Sequence, residues 1–303
     1  MGGDKMKIAH VSDIHIHKRK GFNIYSICSF ICTAFKTRID MNVLDALLSD
    51  LEDLKDKNEF DHIVITGDLT NTNHYDEFEL FKNKFNNTFT HGSSIDWRES
   101  DFFSVVPGNH DRGYSGNISK KFQKKIYNQP RSAKDLHPIE KTLDKNTILI
   151  LIDSTGEFPL SNLPFGCLGK IDNAQFKRLM KILEKNKDKF KILAMHHHPL
   201  IVPYYRWLAG FGVLRKSRKY LTKFYSSGVD LILHGHRHYP FNWMHNPTPL
   251  SQQKMKVICA PSVACATVYD TSILNAYNIY DIQNGKLTIR QRGYKNGQYQ
   301  WLP

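Results

Sequence analysis

The chain has 303 residues, 41% hydrophobic and 23% charged, ordinary globular values that exclude a disordered, collagen-like or coiled-coil protein. Its net charge of +13 is uneven: residues 1–111 carry 12 Lys and Arg against 18 Asp and Glu, and residues 112–303 carry 30 against 11. Five cysteines, Cys28, Cys32, Cys167, Cys259 and Cys265, form no C-x-x-C pair, which argues against a disulfide framework and for a reducing compartment.

Met1–Lys5 runs into a strand pattern without a secretion signal, so a cytoplasmic location is expected. Short apolar runs read as buried strands at Lys7–Ser12, His62–Thr66, Phe102–Val106, Ile148–Ile152, Lys191–Met195 and Asp230–Leu233. Helical patterns lie between them at Asp40–Lys57, at Asp172–Lys187 with Asp172 as the N-cap, and at the very basic Leu214–Tyr225. Lys256–Ala260, Ala276–Ile282 and Lys286–Arg290 read as further strands, with Asn284-Gly285 as a hairpin turn. The order implies an α/β core with an added sheet, in one domain over 1–303 with a β-rich part at about 256–303. An insert at about 18–38 contains the apolar stretch Phe22–Phe35, too short for a membrane-spanning helix.

Five of these six strands end in a polar cluster: Asp13-Ile14-His15, Gly67-Asp68-Leu69-Thr70, Gly108-Asn109-His110-Asp111, His196-His197-His198-Pro199 and Gly235-His236-Arg237-His238. Strand carboxyl ends are where α/β sheets build their sites, so the five clusters can converge. Asp, Asn and His together suit borderline divalent metals. In D-x-H and H-x-H, alternate residues of an extended segment would point the same way. The glycines before Asp68, Asn109 and His236 would let the backbone turn tightly. So many donors suit two ions sharing a carboxylate, the arrangement that clamps an in-line displacement at phosphorus.

The series D-x-H, G-D, G-N-H-D, H and G-H-x-H, spread from Asp13 to His238, resembles the calcineurin-like metallophosphoesterases. The resemblance implies a β-sandwich of two mixed sheets flanked by helices. It implies two divalent ions, Mn or Fe foremost with Zn as a further option. Asp13, His15 and His238 would hold one ion, Asn109, His236 and a histidine of the 196–198 run the other, and Asp68 would bridge them. A hydroxide between the ions would attack phosphorus. His110 would protonate the leaving oxygen or steady the phosphate, and Asp111 would orient His110. An ungapped match picks His196 as the ligand and a looser pattern picks His197; His196 is preferred because it comes first after its strand.

The implied reaction is hydrolysis of a phosphodiester or diphosphate. Within the family, the apolar insert and flanking motifs look most like bacterial enzymes acting on lipid-linked nucleotides such as UDP-diacylglucosamine. The insert would then be a lid or peripheral membrane contact, and the basic aromatic stretch from Pro203 to Lys219 the opposite wall. A soluble phosphodiesterase similar to the class III cyclic-nucleotide enzymes is the alternative, with a non-catalytic scaffold behind it. Nothing resembling the capping domain of nuclease relatives is seen, which argues against a nucleic-acid substrate. His234 reads as a core histidine, His17 as a rim residue, and Asp153-Ser154 as packing.

Overall fold

A computed structural model describes residues 5–18, 37–112, 122, 124–128, 136–156, 168–200, 213–245, 254–267 and 275–303. The apolar stretch 22–35, the stretch 203–207, and Cys28, Cys32 and Cys167 lie outside them.

Two six-stranded mixed sheets carry the architecture. The first contains β1 (Lys5–Val11), β3 (His62–Ile65) and β4 (Phe103–Val105), with β12 (Ala276–Gln283), β13 (Lys286–Lys295) and β14 (Gln298–Trp301), in the order β14-β13-β12-β1-β3-β4. The second contains β5 (Ile139–Thr142), β6 (Thr147–Leu151), β7 (Phe190–Ala194), β8 (Leu231–His234), β9 (Phe241–His245) and β10 (Met255–Cys259), in the order β5-β6-β7-β8-β10-β9. A short pair, β2 (Thr37–Ile39) with β11 (Cys265–Thr267), stands apart. β1, β3 and β4 run parallel, as do β6, β7, β8 and β10.

Both faces of these strands are apolar, which is why they read as continuous hydrophobic runs. Along β6, Leu149 and Leu151 face the other sheet while Ile148 and Ile150 face helices. Ile8, Val64, Tyr280 and Ile282 of the first sheet meet Ile192, Leu231 and Leu233 of the second in the central layer. α1 (Met41–Asp56) and α2 (Tyr75–Thr90) cover the outer face of the first sheet. α4 (Asn173–Lys185) and α5 (Ser217–Ser226) cover that of the second. The one-turn α3 (Asn109–Arg112) follows β4.

Local chemistry explains the ends of these elements. Asp172 caps α4 by accepting the Ala174 N–H at 2.8 Å. Asn284 and Gly285, at φ 51° and 72°, close the β12–β13 hairpin with Gln283 paired to Lys286. α2 is not among the sequence-predicted elements; its buried stripe of Phe78, Phe81, Phe85 and Phe89 is set among Asn and Thr residues of weak helix propensity. α5 begins later than expected, after Lys216 at φ 60°. No helix among the described residues is long and apolar enough to cross a membrane.

Candidate metal centre

The five polar clusters meet at the carboxyl ends of β1, β3, β4, β7 and β8. The local geometry differs from the expected extended segments. Asp13, His15, Asp68, His236 and His238 all have positive φ, between 50° and 74°. Left-handed turns, which Asp, Asn and His adopt more readily than most residues, therefore aim these side chains. Of the three preceding glycines only Gly67 turns the chain, at φ 89°. Gly108 and Gly235 supply room instead. A Cβ at 235 would collide with Ser12 Oγ and Asp13 Oδ2, and one at 108 with Asp68.

Two groups of donor atoms result. In one, Asn109 Oδ1, His196 Nε2 and His236 Nδ1 form a near-equilateral triangle with sides of 2.9, 2.9 and 3.1 Å. In the other, His15 Nε2 lies 3.0 Å from His238 Nε2, which lies 3.2 Å from Asp13 Oδ1. Asp68 stands between them. Its Oδ1 accepts the His110 N–H at 2.8 Å, while Oδ2 lies 3.3 Å from His196 Nε2 and 3.6 Å from His15 Nε2.

The donor set fits divalent cations. Ligands about 2.0–2.2 Å from a shared ion, at ordinary angles, stand about 2.8–3.5 Å from one another. His196 Nδ1 faces the Thr66 carbonyl at 2.7 Å. A carbonyl only accepts, so Nδ1 carries the proton and neutral His196 offers a bare lone pair at Nε2. That lone pair meets the Asn109 oxygen at 2.9 Å. Two acceptors at that distance need a cation or an extra proton between them. Without metal the proton takes this role: burial lowers the His196 pKa, but the Asp68 and Asp13 carboxylates and the Thr66 carbonyl overcome it and raise the value to about 9. Burial holds His15 down at about 4 and His236 well below the usual range. Burial would raise Asp13, but His238 and His15 keep it ionised.

Around the donors, Ser262 Oγ donates to the Asp13 carbonyl at 2.7 Å and the His236 N–H donates to Asp13 Oδ2 at 3.0 Å. His10 bridges Thr66 Oγ1 at 2.8 Å and the Tyr280 hydroxyl at 2.9 Å, tying the loop that carries Asp68 to β12.

His110 sits beside His15 and Asp68, its ring edge-on to His15 at 4.7 Å. Its Nδ1 donates to the Asn71 carbonyl at 2.9 Å, and a ring nitrogen of His110 lies within 4.8 Å of donor atoms of His15 and Asp68. The expected bond from His110 to Asp111 is absent from this arrangement. Asp111 instead accepts the N–H groups of Leu69, Thr70 and Gly108 at 3.1, 2.8 and 2.9 Å, and the Thr70 hydroxyl at 3.0 Å. Both carboxylate oxygens are committed to backbone, so Asp111 stitches the Asp68 loop to the turn carrying Asn109.

His197 and His198 are wholly buried behind the donors. The His198 ring stacks on His236 at 5.5 Å and 20°, and the His197 ring tilts against His236 at 4.7 Å. His234 is a core histidine near the Gly235 carbonyl, held by burial at about 4. His17 lies at the rim, 3.2 Å from Glu77. The sequence reading of Ser154 as packing leaves out its bonds to His196 and His197, and Thr66 and Asn71 are not singled out by the sequence at all. Their part is played by one hydroxyl and two carbonyls, and main-chain groups leave no trace in residue type.

The model of the family described as calcineurin-like phosphoesterase matches residues 6–240. No curated protein matches the chain in sequence. Among solved structures, a purple acid phosphatase from yellow lupin (Lupinus luteus) seeds superposes with a TM-score of 0.62 at 14% identity, over 99% of this chain and 53% of that one. A putative 5'-nucleotidase from Staphylococcus aureus, in complex with alpha-ketoglutarate, superposes with a TM-score of 0.52 at 11% identity, over 99% of this chain and 54% of that one. The chain thus spans about half the length of these two proteins, and the likeness is one of fold.

Proposed function

We propose that this chain, which belongs to the calcineurin-like phosphoesterase family, is a dinuclear metal-dependent hydrolase that cleaves a phosphodiester or diphosphate bond. The observation that carries this reading is Asp68 Oδ2, within 3.6 Å of a ligand nitrogen from each donor group. Asp13, His15 and His238 would hold one ion, Asn109, His196 and His236 the other, with Asp68 shared. Such a pair supplies an activated water and neutralises charge growing on the phosphate. Mn, Fe and Zn all suit the donors, which are four imidazole nitrogens, two carboxylates and one amide oxygen.

The chain's own residues do the rest. Thr66 fixes the His196 tautomer, and Asn71 fixes that of His110. With Nδ1 committed to Asn71, protonated His110 carries its transferable proton on Nε2, where it can reach a leaving oxygen. Asp111 keeps the Asp68 and Asn109 loops in register.

The finer reading is a lipid-linked nucleotide such as UDP-diacylglucosamine, approached by peripheral contact with a membrane. Its support is the exposed cations Arg215, Lys216, Arg218 and Lys219 at the start of α5. The Leu214 N–H bonds to the His198 carbonyl at 3.0 Å, which puts that start beside the histidine run. Cations there suit a diphosphate or an anionic headgroup.

The test is hydrolysis of bis(p-nitrophenyl) phosphate by metal-stripped protein, with and without Mn, beside Asn109→Ala and again with anionic liposomes. Mn-dependent cleavage that Asn109→Ala abolishes is expected. Cleavage that ignores metal or survives Asn109→Ala would sink the dinuclear reading. Good activity on soluble cyclic nucleotides with no response to liposomes would replace the lipid-linked substrate with a soluble one.

A further inference from the structure

One buried hydroxyl touches the donor group of Asn109, His196 and His236 from behind. Ser154, three residues past the end of β6, is wholly buried. Its Oγ accepts the N–H of His196 at 3.2 Å and of His197 at 3.0 Å, and lies 2.9 Å from His197 Nδ1. Both lone pairs of the hydroxyl are thereby occupied, so its single proton goes to His197 Nδ1 and the imidazole proton of His197 sits on Nε2. The His197 ring is wedged between two ligand rings, edge-on to His196 at 5.1 Å and tilted against His236 at 4.7 Å. Behind it the chain leaves no slack: a Cβ at Gly169 would sit 2.5 Å from His197 Cβ.

We infer that Ser154 and His197 are positioning residues for one half of the centre, the half built from Asn109, His196 and His236. The inference rests on the two-ion reading above. It also gives the triple-histidine run a division of labour, in which His196 binds and His197 braces. The other half is held by different bonds. The Asp13 N–H reaches the Gly67 carbonyl at 3.1 Å, the His15 N–H the Asp68 carbonyl at 2.8 Å, and Ser262 the Asp13 carbonyl. Loss of the brace should therefore be felt on one ion and spare its neighbour. Groups that orient a metal ligand typically govern about 10–100-fold in metal affinity.

The test is titration of the metal-stripped full chain with Mn alone, counting bound ions by equilibrium dialysis and mass spectrometry, beside the melting temperature of each metal-free protein. Wild type is expected to bind two ions. In Ser154→Ala and in His197→Ala one of the two ions should lose about 10-fold or more in affinity while the other stays within about twofold. His197→Phe, which keeps a ring in the wedge, should recover most of the loss. Unchanged binding of both ions in the two alanine variants overturns the inference, and so does equal weakening of both. Should Ser154→Ala fail to fold, the His197→Ala and His197→Phe pair decides alone. A wild-type chain that binds fewer than two ions overturns the two-ion reading itself, and the same titration reveals that before any variant is compared.

Discussion

The Nδ1–H of His196 donates to the carbonyl of Thr66 at 2.7 Å, and that bond decides what the opposite nitrogen can do. The carbonyl has no proton to give, so Nδ1 keeps the imidazole proton and the lone pair of neutral His196 lies at Nε2, 2.9 Å from the Asn109 oxygen. A strand-end carbonyl thus aims the free lone pair of a buried histidine at the donor group, the part that outer partners of ligand histidines generally play.

Metal removal should cost stability. Asp13 and Asp68 are buried, and each carboxylate lies within 3.8 Å of His15 Nε2, so the chelated chain keeps charge that ions would neutralise. Chelated protein should melt below Mn-loaded protein, and the midpoint should climb with added Mn as mass action requires. A midpoint indifferent to Mn in calorimetry would count against the centre.

His110→Asn should spare metal binding and slow turnover. Loss of a general acid costs roughly 10²–10⁴-fold, and the loss should be greater for esters with poor leaving groups than for p-nitrophenyl esters. An equal loss across leaving groups, measured as kcat, would assign His110 to steadying the phosphate instead.

Asp111→Asn tests the corrected role of that carboxylate. An amide nitrogen cannot accept, so at least one of the N–H groups of Leu69, Thr70 and Gly108 would lose its partner. An unsatisfied buried donor costs about 1–3 kcal/mol, to be read from urea unfolding. Unchanged stability with unchanged activity would remove Asp111 from both roles.

Phe85→Ala probes the layer behind the first sheet. Phe85 is wholly buried among Phe81, Phe89, Trp97 and Phe103, with ring centroids 4.6–6.2 Å away. Truncating such a ring costs about 3–5 kcal/mol. A loss below about 1 kcal/mol in urea unfolding would mean that the site collapses around the cavity.

Lys141 sets a pH dependence far from the centre. Its Nζ donates to the carbonyls of Ser100 and Phe103, each at 2.7 Å, and burial lowers its pKa from 10.5 to about 8 against the pull of Glu99, Asp101 and Asp96. Between those values the unfolded chain binds a proton that the folded chain has released, so this residue's contribution to stability rises with pH. The stability of wild type minus that of Lys141→Met should therefore increase from about pH 8 to about pH 10.5. A flat difference would place the ammonium in solvent.

Which residues come together at the strand ends could be read from the sequence. The strands announce themselves as apolar runs because both faces are covered, and each run stops at a cluster of Asp, Asn, His and Gly that packing alone does not demand. Tertiary structure alone decided how those residues are aimed and held. Left-handed turns rather than strand alternation point Asp13, His15, Asp68, His236 and His238. Asp111 serves backbone N–H groups rather than His110, and Ser154 and Thr66 support His196 and His197 from strands distant in sequence. The reason is physical: donor chemistry belongs to the side chain and can be read residue by residue. The choice among alternative partners belongs to main-chain groups of other strands, whose positions exist only once the two sheets have packed.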